Sequence, residues 1–127
     1  MFTRVHHISI ICSDYQRSKQ FYTETLGLEI IRETYRAARD SYKLDLSLHR
    51  VYVLELFSFP DPPARVSGPE ACGLRHLAFE VENLEATIQL LSSKGIRCED
   101  PRTDLLTGKR FTFFADPDQL PIELYEQ

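Results

Sequence analysis

The chain says nearly the same thing twice. In each copy a histidine sits in an apolar, β-branched stretch, a helix-capping residue follows seven positions later, a helical stripe ends at a glycine, and a glutamate interrupts a later apolar run. The first copy reads His7, Asp14, Gly27 and Glu55; the second reads His76, Asn83, Gly95 and Glu123. His7 to Gly27 spans 20 positions and His76 to Gly95 spans 19, while the His-to-Glu spans are 48 and 47. The flanks agree as well, since Val53-Leu54-Glu55-Leu56 parallels Pro121-Ile122-Glu123-Leu124. Internal repeats usually announce a solenoid or propeller, but two copies are too few to stack into one. Paired βαβββ units satisfy the pattern instead, with a helix packed behind each half of one curved sheet.

The local signals supply those elements. RVHHISIIC (4–12) is a strand by its β-branched content. Ser13-Asp14 can cap a helix that carries Tyr15, Phe21, Tyr22 and Leu26 on one stripe to about Leu26, with Gly27 as its stop. Strands follow over 28–35, 42–48 and 51–59, the last two joined at His49-Arg50. In 42–48 polar and apolar residues alternate strictly, which predicts one wet face. FPDPPARVSGPE is a Pro-rich loop, either a lid or a plain connector. The second copy predicts strands at 74–81, 96–99, 110–115 and 121–125, a helix from the Asn83 cap to Lys94, and a loop over 100–109.

Composition narrows the function classes. The chain has 127 residues, 15 basic and 19 acidic side chains and a formal net charge of -4. No basic block recruits nucleic acid, and no segment reaches the length of a membrane span. Three cysteines without CxxC spacing argue against a disulfide framework, so the expectation is a reduced, cytoplasmic protein.

Side chains alternate across a strand, so His7 shares a face with Ser9 and Ile11, and His76 with Ala78 and Glu80. His6 falls on the opposite, helix-packing face, and His6 and His49 lie outside the repeat and read as non-ligands. A carboxylate such as Glu55 or Glu123 inside an apolar strand is costly to bury unless it is paired or metal-bound. Singly, each of the four is more often an ordinary core or surface residue. Jointly, the repeated His-then-Glu pattern points to a metal site made of His7, Glu55, His76 and Glu123. Two imidazoles and two carboxylates suit zinc or nickel, with cobalt, iron or manganese behind them, better than calcium. Four protein ligands on an octahedral ion leave two positions open, which suggests catalysis. Arg36, Arg39, Lys43, Lys109 and Arg110 are candidates for substrate-anion contacts, and solvated charge is the plainer reading of each. Phe57, Phe59, Phe111 and Phe113 read as core.

These residues resemble the vicinal oxygen chelate superfamily, and within it glyoxalase I. The resemblance covers nearly the whole chain: His7 followed by SDYQRSKQFYTETLGL, VLEL with Glu55, GLRHLAFEV with His76, and DPDQLPIEL with Glu123. It implies an α+β fold in a single domain over 1–127. The first βαβββ module then lies at 4–59 and the second at 73–127, in a curved, partly closed mixed sheet with helices on its outer face. It also implies one divalent metal per site, held by one His and one Glu from each module. Dioxygenases and fosfomycin-modifying transferases of the same fold lack a ligand at the position of Glu55, so the set resembles the glyoxalase arrangement. Chelation of vicinal substrate oxygens is the shared chemistry, with Glu123 the first candidate for the catalytic base and Glu55 the symmetric one.

Departures narrow the resemblance. Glutathione-dependent glyoxalase I has an Arg where this chain has Ile11 and an Asn where it has Phe59, and related enzymes often carry an Arg where it has Cys72. YRAARDSYKLDL, ELFSFPDPP and EACGLRHLAF are closer to the small YaeR-type glyoxalase-like metalloproteins. The expectation is a metal-dependent lyase or isomerase acting on a small α-oxygenated carbonyl compound, without a commitment to glutathione, in a homodimer. The competing readings are a non-catalytic metabolite- or drug-binding protein and an Fe(II) dioxygenase on the same fold.

Overall fold

The computed structural model describes residues 1–127 as two compact units, Met1–Ala64 and Arg65–Gln127. In the first unit, β1 (Ile8–Cys12) leads into α1 (Tyr15–Gln20), which continues as a π-helical turn over Phe21–Thr25. The Asp14 carboxylate accepts from the backbone N–H of Arg17 at 3.1 Å and caps the helix. Gly27, at φ 80°, supplies the left-handed residue that turns the chain out of the helix. Then come β2 (Glu29–Arg36), β3 (Ser41–Leu48) and β4 (Val51–Ser58). His49 and Arg50 both have positive φ, the conformation a two-residue hairpin needs to match strand twist. The sheet order is β1-β4-β3-β2, with β1 parallel to β4 and the other pairs antiparallel. Leu44, Leu46, Leu54 and Leu56 are fully buried on the central strands, each worth about 1.5–3 kcal/mol of transfer free energy.

The second unit repeats this plan with β5 (Leu77–Val81), α2 (Leu84–Ser93), β6 (Arg102–Thr103), β7 (Arg110–Ala115) and β8 (Pro121–Glu126). Its order, β5-β8-β7-β6, is the same, again with the first and last strands parallel. Asn83 caps α2 through Ala86 N–H at 2.9 Å. Leu84, Leu91, Phe114, Ile122 and Leu124 are buried. Neither α1 nor α2 is long and apolar enough to cross a membrane. No disulfide joins Cys12, Cys72 or Cys98.

Four expectations are corrected. β1 and β5 begin one residue after the histidines, so the alternation does not extend back to His6, which is exposed rather than packed on a helix. The segment 96–99 is not a strand; the short β6 lies at Arg102–Thr103, within the stretch expected to be loop. Glu99 still donates its N–H to Phe113 O at 2.8 Å, which ties that segment to β7. The expected wet face of β3 is buried at Asp45 and Ser47, and around Asp45 the side chains of Arg32, Lys43 and Tyr52 gather on that face. Phe57, Phe59, Phe111 and Phe113, expected as core, are all only partly buried, and the core positions of β7 are Thr112 and Phe114.

Candidate metal centre

Parallel pairing of β1 with β4 brings the first histidine to the first glutamate. His7 precedes β1 by one residue, and its Nε2 lies 3.2 Å from Glu55 Oε1. The second unit reproduces the contact, with His76 Nε2 3.1 Å from Glu123 Oε2. Within neither unit does a third His, Cys, Asp or Glu join the pair in metal-binding geometry. Each unit thus carries one His–Glu pair of its own.

The strands place different neighbours around the two glutamates. In the first unit the register runs Ser9, Glu55, Asp45 and Arg32 across β1, β4, β3 and β2. Ser9 Oγ donates to Glu55 Oε1. Lys43 Nζ bridges Glu55 Oε2 at 3.0 Å and Asp45 Oδ1 at 3.2 Å, and Arg32 Nε reaches Asp45 Oδ2 at 3.3 Å. Tyr52 Oη lies 3.0 Å from Glu55 Oε2 and 2.8 Å from Asp45 Oδ1. Its single proton serves one carboxylate at a time, so the ammonium of Lys43 supplies the other. Burial pushes the Glu55 carboxyl up, but the donors Ser9, Lys43 and Tyr52 outweigh it and hold the group at about 2. Asp45 is likewise lowered against its burial by Tyr52, Lys43 and Arg32, and burial beside these carboxylates pushes the Tyr52 phenol up.

Tyr52 also sets the imidazole. Its ring stacks on His7 with centroids 5.0 Å apart, and it meets the His6 ring edge-on at 5.0 Å. His6 Nδ1 lies 2.7 Å from His7 Nδ1, so the far side of the His7 ring has the kind of outer partner that fixes a ligand's tautomer.

In the second unit the equivalent row is Ala78, Glu123 and Phe113. Nothing there replaces Ser9, Lys43 or Asp45, and Glu123 has His76 as its one polar side-chain partner. Phe113 meets the His76 ring edge-on at 5.3 Å. His76 Nδ1 is buried without a hydrogen-bond partner, a defect that costs about 1–3 kcal/mol.

These residues fit a divalent ion. Two ligands about 2.1 Å from one ion and at right angles stand about 3.0 Å apart, and the two Nε2-to-carboxylate distances are 3.2 and 3.1 Å. A hydrogen bond has the same length, so the chemistry of the set matters more: imidazole nitrogen and carboxylate oxygen together are the donors of zinc, nickel and iron.

Of the basic residues expected to meet a substrate anion, Lys43 is committed to Glu55 and Asp45, and Arg110 to Glu85. Arg36 and Arg39 lie over Phe57 and Phe59. The second unit instead holds a cavity of about 510 Å³ beside His76, lined by other arginines: Arg65, Arg75, Arg97 and Arg102. The Pro-rich segment forms part of its wall, pinned where Arg65 Nη2 donates to the carbonyls of Leu74 and Arg75 at 2.7 and 2.9 Å. Ser9, Asp45 and Tyr52 were also missed as site neighbours; alternation placed Ser9 on the face of His7, but nothing in the sequence aligned Asp45 with Glu55.

Comparison with known proteins agrees with this architecture. The chain is 67% identical over 123 residues to protein YwkD of Bacillus subtilis (strain 168), covering 97% of this chain and 96% of the relative. It is 59% identical over 124 residues to YaeR of Escherichia coli (strain K12), covering 98% and 96%. The crystal structure of SMU.1112c superposes with a TM-score of 0.94 at 49% identity, over 99% of this chain and 100% of that one. Two more distant relatives bear enzyme names. One is a 2-epi-5-epi-valiolone epimerase of Actinomyces sp, 30% identical over 94% of this chain and 77% of the relative. The other is a lactoylglutathione lyase of Schizosaccharomyces pombe, 28% identical over 98% of this chain and 47% of the relative. The Glyoxalase family model matches residues 4–124, a span that holds both histidines and both glutamates, and the chain belongs to the Glyoxalase/Bleomycin resistance protein/Dioxygenase superfamily.

Proposed function

We propose that His7, Glu55, His76 and Glu123 are ligands to a divalent metal ion. On this reading the protein is a lyase or isomerase that moves a proton on a small α-oxygenated carbonyl compound, with Glu123 as the base. The observation that carries this reading is the unequal tethering of the two carboxylates. Glu55 is fixed by Ser9, Lys43 and Tyr52 and held at about 2, which makes it a good permanent anion and a poor base near neutrality. Glu123 stands between Ala78 and Phe113 with His76 as its partner, so it is the carboxylate free to reach a substrate C–H. The ion, when bound, polarises substrate oxygens as a Lewis acid. Tyr52 and His6 keep His7 oriented. The epimerase and the lyase among the relatives support an enzyme over a binding protein. A homodimer belongs to the same reading, supported by the edge strand β2, which leaves Ile30, Ile31 and Tyr35 exposed.

The test compares Glu123→Gln with Glu55→Gln by elemental analysis of metal per chain. Solvent-deuterium exchange at the carbon next to the carbonyl is followed by NMR across a panel of 2-hydroxyaldehydes, 2-hydroxyketones and 2-oxoaldehydes with and without thiols. Glu123→Gln is expected to keep most of its metal and lose exchange. Full metal and full exchange in Glu123→Gln would sink the base assignment.

A further inference from the structure

We infer that the cavity beside His76 binds the oxyanion of an acidic substrate, a carboxylate or phosphate, between Arg97 and Arg102. This rests on the reading of His76 and Glu123 as site residues and adds a substrate class to it.

The argument begins with charge. Four arginines and two glutamates, Glu70 and Glu99, line the cavity, a local balance of +2 with histidine neutral, in a chain whose net charge is -4. A pocket that reverses the sign of the protein around it concentrates anions. Not all four cations are available. Arg65 is spent on two carbonyls and on Ser67 Oγ at 2.9 Å. Arg75 meets Glu70 at 3.5 Å with both side chains at least 70% exposed, a loose pair that leaves it a secondary cation of the cavity. Arg102 meets Glu99 at 3.3 Å with both side chains more than half exposed, a contact of little energetic weight. Arg97 makes no hydrogen bond, ion pair or ring contact in the structure, so its fork of N–H donors is free.

The second argument is placement. The Arg102 guanidinium lies over the rings of Phe111 and Phe113, at 5.0 and 5.6 Å from their centroids. These cation–π contacts hold the guanidinium beside the cavity, and the fork of an Arg suits two-pronged capture of carboxylate or phosphate better than a Lys does. Phe113 in turn touches His76, so an anion on Arg102 lies one aromatic ring from the candidate ligand. Glu99 N–H to Phe113 O, and Thr112 Oγ to Glu99 O at 2.7 Å, hold the segment between Arg97 and Arg102 against β7. The cavity's size suits a metabolite rather than a polymer.

Glycerol 3-phosphate, glycerate and glycerol share vicinal oxygens and differ in carrying a phosphate, a carboxylate or no anion. Their binding to the full-length protein is measured by NMR titration, with metal and after chelation, alongside metal content. The anionic probes are expected to bind at least ~10-fold more tightly than glycerol, and Arg97→Gln or Arg102→Gln to lose ~10-fold for them alone. The order of the two anions names the preferred group. Arg97→Gln also serves as the folding control, since its side chain contacts nothing and its melting temperature should be unchanged. Equal binding of all three probes overturns the inference, as does wild-type affinity in both Arg variants. If the protein takes up no metal yet still prefers the anions, the metal reading fails and this one stands; metal uptake without anion preference gives the reverse.

Discussion

Replacing Glu55 by Gln should destabilise the metal-free protein by an amount that depends on pH. The carboxyl ordinarily titrates at 4.5 and is held at about 2 in the folded chain by Ser9, Lys43 and Tyr52. At 1.36 kcal/mol per tenfold change in proton affinity, that difference is worth about 3 kcal/mol. Glu55 is only 8% exposed, so solvent screening takes little from the figure. The sign follows from the direction of the shift. A lowered carboxyl contributes its full stabilisation above pH 4.5 and loses it as pH falls toward about 2, because the unfolded chain then binds the proton first. Glu55→Gln should therefore cost about 3 kcal/mol at pH 7, with the gap to wild type narrowing steadily below pH 4.5. Urea unfolding at several pH values reads this directly. Chelator must be present throughout, since a bound metal would add its own mass-action stabilisation to the wild type. A gap that stays constant from pH 7 to pH 3, or one near zero at pH 7, would show that Glu55 is not held by these donors.

Three further outcomes follow from the packing. Lys43→Met leaves Asp45 and Glu55 buried without their shared cation; a loss of roughly 2–4 kcal/mol is expected, smaller than for a fully buried pair because the Lys43 side chain is a quarter exposed and Arg32 remains. That loss should shrink in acid, as urea titrations would report. Leu46→Ala empties a fully buried position between strands β2 and β4 and should cost about 2–5 kcal/mol in the same assay. Asn83→Ala removes the cap on α2 and should cost about 1 kcal/mol, while Asn83→Asp, which keeps an acceptor, should stay close to wild type.

The repeat, both helices and most strand boundaries were legible because their causes are local. Asp14 and Asn83 cap helices with their own side chains, Gly27 and Gly95 take the left-handed conformation that ends them, and alternation marks the strands. The pairing of His7 with Glu55 and of His76 with Glu123 was legible for another reason: one duplicated sequence forces both pairs into the same parallel register. The strand misread at 96–99 shows the limit of the method. A four-residue apolar-polar stretch fits a strand, but here the ladder on β7 forms at Arg102 and Thr103 instead.

By itself the sequence determined that there are two like units and which histidine and glutamate belong to each. Only the tertiary structure decided that the two glutamates live in different surroundings. The His49-Arg50 hairpin and the register shift at Leu46/Ser47 bring Asp45 level with Glu55, and the shift at Ile30/Arg32 brings Arg32 level with Asp45. A period of two tells which face a side chain takes, not which residue stands beside it on the next strand. The Ser9–Glu55–Asp45–Arg32 row, its apolar counterpart Ala78–Glu123–Phe113 and the arginine-lined cavity are all products of that lateral alignment, which no single strand encodes.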